Sequence, residues 1–140
     1  MTLRALVKQL GMLLLGEAKG KEDLDFIKNN LRFSLIDIAT HTTPSALLTK
    51  DPLRYEILRQ VDDNYFIRVP PIPQELDDEI LLDDSLELAL LYKMATQIAL
   101  IEKRSFYEKL YYRELDKHRF SAFETLQNQE QTNTLWDRYY

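Results

Sequence analysis

The chain has 140 residues, 45% of them hydrophobic, with only 3 glycines and 5 prolines. That length favours one domain, and so few helix-interrupting residues favour long helices over a loop-rich or all-β fold. It has no cysteine, which excludes disulfides, thiolate zinc sites, iron–sulfur clusters and cysteine nucleophiles and fits folding in a reducing cytoplasm.

The formal net charge of −5 is concentrated in one place. Residues 1–73 hold 10 bases and 9 acids, residues 91–140 hold 8 bases and 7 acids, and residues 74–90 hold 7 acids and no base. The negative excess therefore lies in one segment, and no clustered Lys/Arg footprint for nucleic acid stands out. Arg4, Lys8 and the run Met12–Leu15 resemble a signal peptide only weakly, because Lys8 and Gln9 interrupt the apolar part and no cleavage motif follows. No window approaches the ~20 apolar residues that span a bilayer.

In chain order, the spacing of Leu3, Leu6, Val7, Leu10, Leu13 and Leu14 predicts a first helix over 2–15, with Thr2 as N-cap and Gly16 as C-cap. A second helix is expected over 22–40. Its stripe is Leu24, Ile27, Leu31, Leu35 and Ile38, widened by Phe26, Phe33 and Ile36, and Thr42-Thr43-Pro44 stops it. Residues 45–49 could form one helical turn. Asp51-Pro52 reads as the start of a short helix over Leu53–Gln60, with a strand at Tyr55–Leu58 as the competing reading. Tyr65–Val69 is the best strand in the chain, ended by Pro70, Pro71 and Pro73. A lone strand needs a partner, which is either the 53–59 segment or another copy of the chain.

A long helix is expected over 84–119, with Asp84 as N-cap and Glu87 completing an acidic capping box. Leu86, Leu90, Leu91, Met94, Ala95, Ile98 and Ile101 form its apolar face, and Leu88, Ala89 and Leu100 extend the apolar character around it, so its first half should be centrally buried. At roughly 50 Å such a helix is longer than the domain needs, and its second half should project or pack on another subunit. Residues 121–140 form a polar tether ending in Trp136, Asp137, Arg138, Tyr139 and Tyr140. Trp, Tyr and Arg are typical interface anchors, so Trp136, Arg138, Tyr139 and Tyr140 are candidates for docking on a partner; folding back on the chain's own core is the alternative. The fold class read from the sequence is mainly α. It is a helical bundle (1–119) with short connections, a small β element near 65–69 and an extended C-terminal tail (120–140).

Chemistry is thin. Glu75, Asp77, Asp78, Glu79, Asp83 and Asp84 lack the EF-hand pattern and any nearby glycine, and read better as a solvated loop with helix N-terminal charges than as a metal site. His41 and His118 lie 77 positions apart, near expected helix ends, with no nucleophile elbow in the chain. Three isolated glycines make no phosphate-cradling loop. Tyr107, Tyr111 and Tyr112 interleave with Lys103, Arg104, Lys109 and Arg113, a pattern that can bind single strands. Glu108 and Glu114 balance those bases and favour a subunit interface instead. No catalytic residue, cofactor site or metal site emerges.

Three segments in a fixed order carry a resemblance. LDFIKNNLRFSLIDIATHTTPSALL is a helix with a Thr-Pro break. NYFIRVPPIP is a strand running into prolines. LDDEILLDDSLELALLYKMATQIA is an acidic loop leading into a long apolar helix. Together, over residues 22–101, they resemble the head–tail connector (adaptor, or head-completion) proteins of tailed bacteriophages. The resemblance implies a non-enzymatic virion protein, made in the host cytoplasm and placed in the neck between capsid and tail. It implies a homo-oligomeric ring, usually of twelve copies, that binds the portal protein on one side and a tail or nozzle protein on the other. DNA would pass through its channel without sequence-specific binding, and no membrane is involved. On this reading Tyr65, Phe66, Arg68, Pro70 and Pro71 join the C-terminal aromatics as partner-binding residues, and Asp77, Asp78 and Glu79 face a neighbour or the channel. A small cytoplasmic helical regulator, binding nucleic acid through the 103–119 face or binding a protein partner, is the alternative. An enzyme using the acidic cluster with a divalent metal is a third reading.

Overall fold

The computed structural model describes residues 1–14 and 24–118. It is mainly helical. Helix α1 spans Leu3–Leu14, α2 Leu24–His41, α3 Glu87–Ile98 and α4 Ile101–His118. Between α2 and α3 lie a 3-10 turn (Ser45–Leu47), three short strands, β1 (Leu48–Thr49), β2 (Ile57–Gln60) and β3 (Phe66–Arg68), and a second 3-10 turn (Asp84–Leu86).

α1 forms as its pattern dictates. Leu3, Leu6, Leu10 and Leu14 make one buried stripe, and Thr2 Oγ1 accepts the Ala5 N–H at 3.1 Å, the N-cap geometry expected of threonine there. α2 buries Ile27, Leu31, Ser34, Leu35, Ile38 and Ala39. Phe26 and Phe33, expected to widen that stripe, instead lie on the exposed side of the helix. Thr42 ends α2 by donating both its backbone N–H and its hydroxyl to the Ile38 carbonyl, at 2.8 and 2.7 Å.

α3 is the centre of the bundle. Ala89, Leu90, Leu91, Met94, Ala95 and Ile98 are all buried, and α1, α2 and α4 each pack against it. The expected acidic capping box is not formed. Asp84 lies inside the 3-10 turn, and no side chain caps α3, which begins at Glu87 with Leu86 before it.

The single long helix over 84–119 is also corrected. The chain leaves helical geometry at Ala99 (φ −63°, ψ 161°), and α4 runs back along α3 to reach the 3-10 turn at α3's start. The break is local and well satisfied. The Ala99 N–H donates to the Ala95 carbonyl at 2.8 Å, Arg104 Nε to the Ala99 carbonyl at 3.1 Å, and Lys103 N–H to the Leu100 carbonyl at 2.9 Å. The reversal buries Tyr107, Tyr111 and Leu115, whereas a continuous helix would carry them away from the bundle. At about 1.5–3 kcal/mol for each such side chain, their burial outweighs the few helical hydrogen bonds forgone, each about 0.5–1.5 kcal/mol net.

The strands form one antiparallel sheet in the order β1-β3-β2. β3, expected as the best strand, is therefore central, and both of its edges are filled from within the chain. β2 replaces the short helix expected over 53–60, so the competing strand reading lies nearer the structure. The Asp51 carboxylate accepts the Leu53 N–H at 3.3 Å in a turn, and the residues after it pair with β3 rather than coil. Ile67 packs with Ala39 and Leu47 in a small second core beneath the sheet.

Tyr111, only 1% exposed, ties the returning helix to α2. Its hydroxyl donates to the Asp37 carboxylate, and Lys93 Nζ lies 5.1 Å from its ring centroid and 3.7 Å from Asp37 Oδ2. Burial, then the bond to Asp37, pushes the phenol pKa well above its ordinary value. Tyr111→Phe should destabilise the fold by about 1–2 kcal/mol in urea denaturation. The raised phenol stays protonated in the fold while the unfolded one ionises near pH ~10. Wild-type stability should thus fall more steeply than that of Tyr111→Phe as pH rises above ~10, and parallel curves would contradict the assignment.

Candidate interaction surfaces

The segment that joins α2 to α3 is held by two charged side chains. Asp83, just before the second 3-10 turn, reaches across to the first. Its Oδ2 accepts from the Ser45 N–H and hydroxyl, both at 2.8 Å, and its Oδ1 from the Ala46 N–H at 2.7 Å. A carboxylate receiving three donors at a turn start ties the two ends of the segment together through charge-assisted bonds. Arg59 does the converse at the C-terminal end of α2, donating to the Ala39 carbonyl (Nε, 3.1 Å) and the Thr42 carbonyl (Nη2, 2.6 Å). The β2–β3 register is irregular between Ile57 and Arg59. Such a bulge re-aims a side chain, and here Arg59 reaches the carbonyl end of α2, where positive charge is favoured. Burial lowers its pKa from the usual value. Neither role is visible in the sequence, where Asp83 is one more acid of an acidic run and nothing sets Arg59 apart from the other bases.

The acidic segment is docked on the start of α1. Thr2 bridges Glu79 in antiparallel fashion. The first N–H groups of α1 find acceptors there, Leu3 on the Asp78 carbonyl (3.1 Å) and Arg4 on the Leu76 carbonyl (2.8 Å), and the Ile80 N–H returns to the Met1 carbonyl at 2.9 Å. Asp78 Oδ2 accepts the Gln74 and Glu75 N–H groups at 3.1 and 2.9 Å, fixing the loop's own turn. Asp77 pairs with Arg4 at 3.0 Å, and the Met1 amine lies 3.0 Å from Glu79 and 3.2 Å from Glu87. The hydrogen bond to Glu79 is the largest cause raising that amine above its ordinary pKa. The segment thus places acceptors and negative charge at a helix N-terminus, while Glu75, Asp77, Asp78 and Glu79 all remain exposed.

The strand candidates divide. Tyr65, Phe66 and Arg68 are half-buried, Pro71 is exposed, and Pro70 is buried with Pro73. Around the sheet, cations stack on aromatic faces. Lys50 Nζ is 4.9 Å from the Tyr65 ring centroid, and Tyr55 takes both Arg54 at 5.4 Å and Arg68 at 4.0 Å. Before them, the turn at 51–55 carries Leu53 at 96% exposure. Trp136, Arg138, Tyr139 and Tyr140 lie outside the described residues.

On α4 the tyrosines read together from the sequence face different ways. Tyr107 and Tyr111 are buried in the bundle, while Tyr112 is exposed, as are Phe106 and Ile101. Lys109, Arg113, Asp116 and Lys117 line a shallow groove with Tyr112, and Lys117 pairs with Glu114 at 3.0 Å. His41 ends α2, with Nδ1 2.8 Å from the Asp37 carbonyl oxygen, and His118 ends α4, with Nε2 3.8 Å from Glu114. Among the described residues no group of three or more His, Asp or Glu side chains is arranged to hold a metal ion, and no helix is long and apolar enough to cross a membrane.

No family model, curated protein or solved structure matches this chain.

Asp83→Ala should cost about 0.5–2 kcal/mol in chemical denaturation, the range for losing a capping side chain, because the two donors of exposed Ser45 can turn to water. Asp83→Asn should recover part of that loss through its remaining carbonyl acceptor. Equal stability of wild type and Asp83→Ala would rule out the clamp.

Proposed function

We propose that the chain is a ring-forming head–tail connector subunit of a tailed bacteriophage, structural rather than catalytic, placed between a portal and a tail or nozzle protein. The reading rests on the order of the three segments noted in the sequence. One structural observation supports it: those segments interlock. Asp83 of the acidic segment clamps the Thr-Pro break after α2. β1, directly after that break, pairs with β3 of the strand–proline segment. β3 pairs in turn with β2, whose Arg59 holds the end of α2. Segments so joined would move as one body and present fixed surfaces, as a ring subunit through which DNA passes must.

In this proposal the helices supply the ring's wall, the acidic loop and the sheet with Pro71 meet neighbours or the tail, and the end at Trp136–Tyr140 docks on the portal. The second reading, nucleic-acid binding through α4, draws on Lys109, Arg113 and Lys117 around exposed Tyr112. A gel shift at two salt concentrations separates the two, because phosphate contacts make binding steeply salt-dependent.

Deleting residues 121–140 should abolish binding to the portal in a pull-down while leaving the helical circular dichroism nearly intact. Unchanged binding would refute the docking role of the tail. Electron microscopy of the portal complex should show a twelve-fold ring, and a single subunit off the symmetry axis would refute the connector role.

A further inference from the structure

The outer face of α4 is exposed among the described residues. It exposes Phe106 and Tyr112, large side chains on a helix whose other side fills the core. Beside Tyr112 lie Lys109, Arg113 and Lys117, spaced i, i+4, i+8 and so on one face, with Asp116 among them. Exposed aromatics beside arginine are the composition of an interface core rather than of a solvated face.

We propose that this face receives a second copy of the chain, specifically the acidic loop of residues 75–79 docked on α1's N-terminus. The proposal rests on the ring reading above and names the contact that would build the ring. Three observations carry it.

The first is charge. Residues 74–90 contain 7 acids and no base, and Glu75, Asp77, Asp78 and Glu79 are all exposed. Arg4 and the Met1 amine offset Asp77 and Glu79 in part, which leaves the loop net acidic. Three bases and one acid line the α4 groove, and Lys117 is paired with Glu114, which leaves the groove net basic by less than the bare count.

The second is level. The Met1 amine touches Glu87, the first residue of α3, so the acidic loop stands at that end of the bundle. α4 runs back along α3 and reaches the 3-10 turn before it, which brings the 109–117 stretch to the same end. α1 and α4 each pack on α3, and the buried side of α4 turns inward. The two surfaces are therefore distinct patches at one height. Rotation about an axis along the bundle brings one patch onto the other in the next copy, the heterologous contact that closes a ring.

The third is preorganisation. Backbone bonds from Leu3, Arg4 and Ile80 hold the loop at both flanks, so docking requires little further ordering.

The chain's lack of cysteine makes the test clean. Glu75→Cys and Arg113→Cys change two exposed residues. The full-length double variant is treated with a short bis-maleimide, and uncrosslinked wild type is weighed in parallel by native mass spectrometry. A ladder extending beyond dimer is expected, absent from either single variant and largely lost near 1 M salt, where the screening length falls to about 3 Å. A ladder that stops at dimer overturns the ring-building contact in favour of a two-fold pair. Oligomeric wild type without a ladder overturns this contact and leaves the ring reading standing, whereas monomeric wild type without a ladder overturns both. If α4 instead binds DNA with strong salt dependence and no ladder forms, the face belongs to nucleic acid and the proposal fails.

Discussion

Helix α3 buries a broad apolar face, and that one constraint organises the molecule. Leu88 and Leu100, expected to extend the apolar character around the helix, are exposed, and Lys93, Thr96 and Gln97 lie half-buried on its remaining side. Ala89, Leu90, Leu91, Met94, Ala95 and Ile98 form a face that needs cover from more than one neighbour. α1 and α2 cover part of it. The remainder has to be covered by whatever follows in the chain, so α4 folds back. Tyr107, Tyr111 and Leu115 are then core residues rather than a projecting stripe, and Tyr111 has a carboxylate within reach on α2. The connecting segment between α2 and α3 inherits a fixed place from the same packing. The end of α2 and the start of α3 lie close enough for Asp83 to hold Ser45 and Ala46.

Much of this was legible in the sequence. The leucine spacing of α1, the Thr-Pro stop of α2, the central burial of α3 and the strand before the prolines all follow from local pattern, and local pattern agrees with the fold at those places. The α3–α4 reversal was not legible, because no glycine or proline marks it. Ala99 adopts an extended conformation that any residue can take, and only the burial of side chains eight or more positions later makes it favourable. Phe26 and Phe33 were misplaced for a related reason. Spacing alone gives the width of a stripe but not how much of that width a neighbouring helix covers. Leu53–Gln60 has a helix-start signal in Asp51-Pro52, and the open edge of β3 outweighed it.

The candidate surfaces were less legible than the fold. An acidic run reads as solvated whether or not it is engaged, and this one supplies carbonyl acceptors to α1 through its backbone, which side-chain identity cannot reveal. Asp83 and Arg59 act through long-range bonds to main-chain groups, and sequence spacing carries no trace of such bonds. The same reversal that buries Tyr111 brings the basic stretch of α4 to the acidic end of the bundle. The α4 surface and its proposed occupant are thus consequences of one packing requirement.

Since both the fold and the interface argument depend on that reversal, the most direct measurement is a distance across it. Spin labels at Leu88 and Tyr112, both exposed, report it by pulsed electron resonance. Packed antiparallel helices lie about 8–10 Å apart axis to axis, so the labels should be under about 25 Å apart. An unbroken helix would place those residues about 36 Å apart at 1.5 Å per residue, and a distribution centred there would contradict the account.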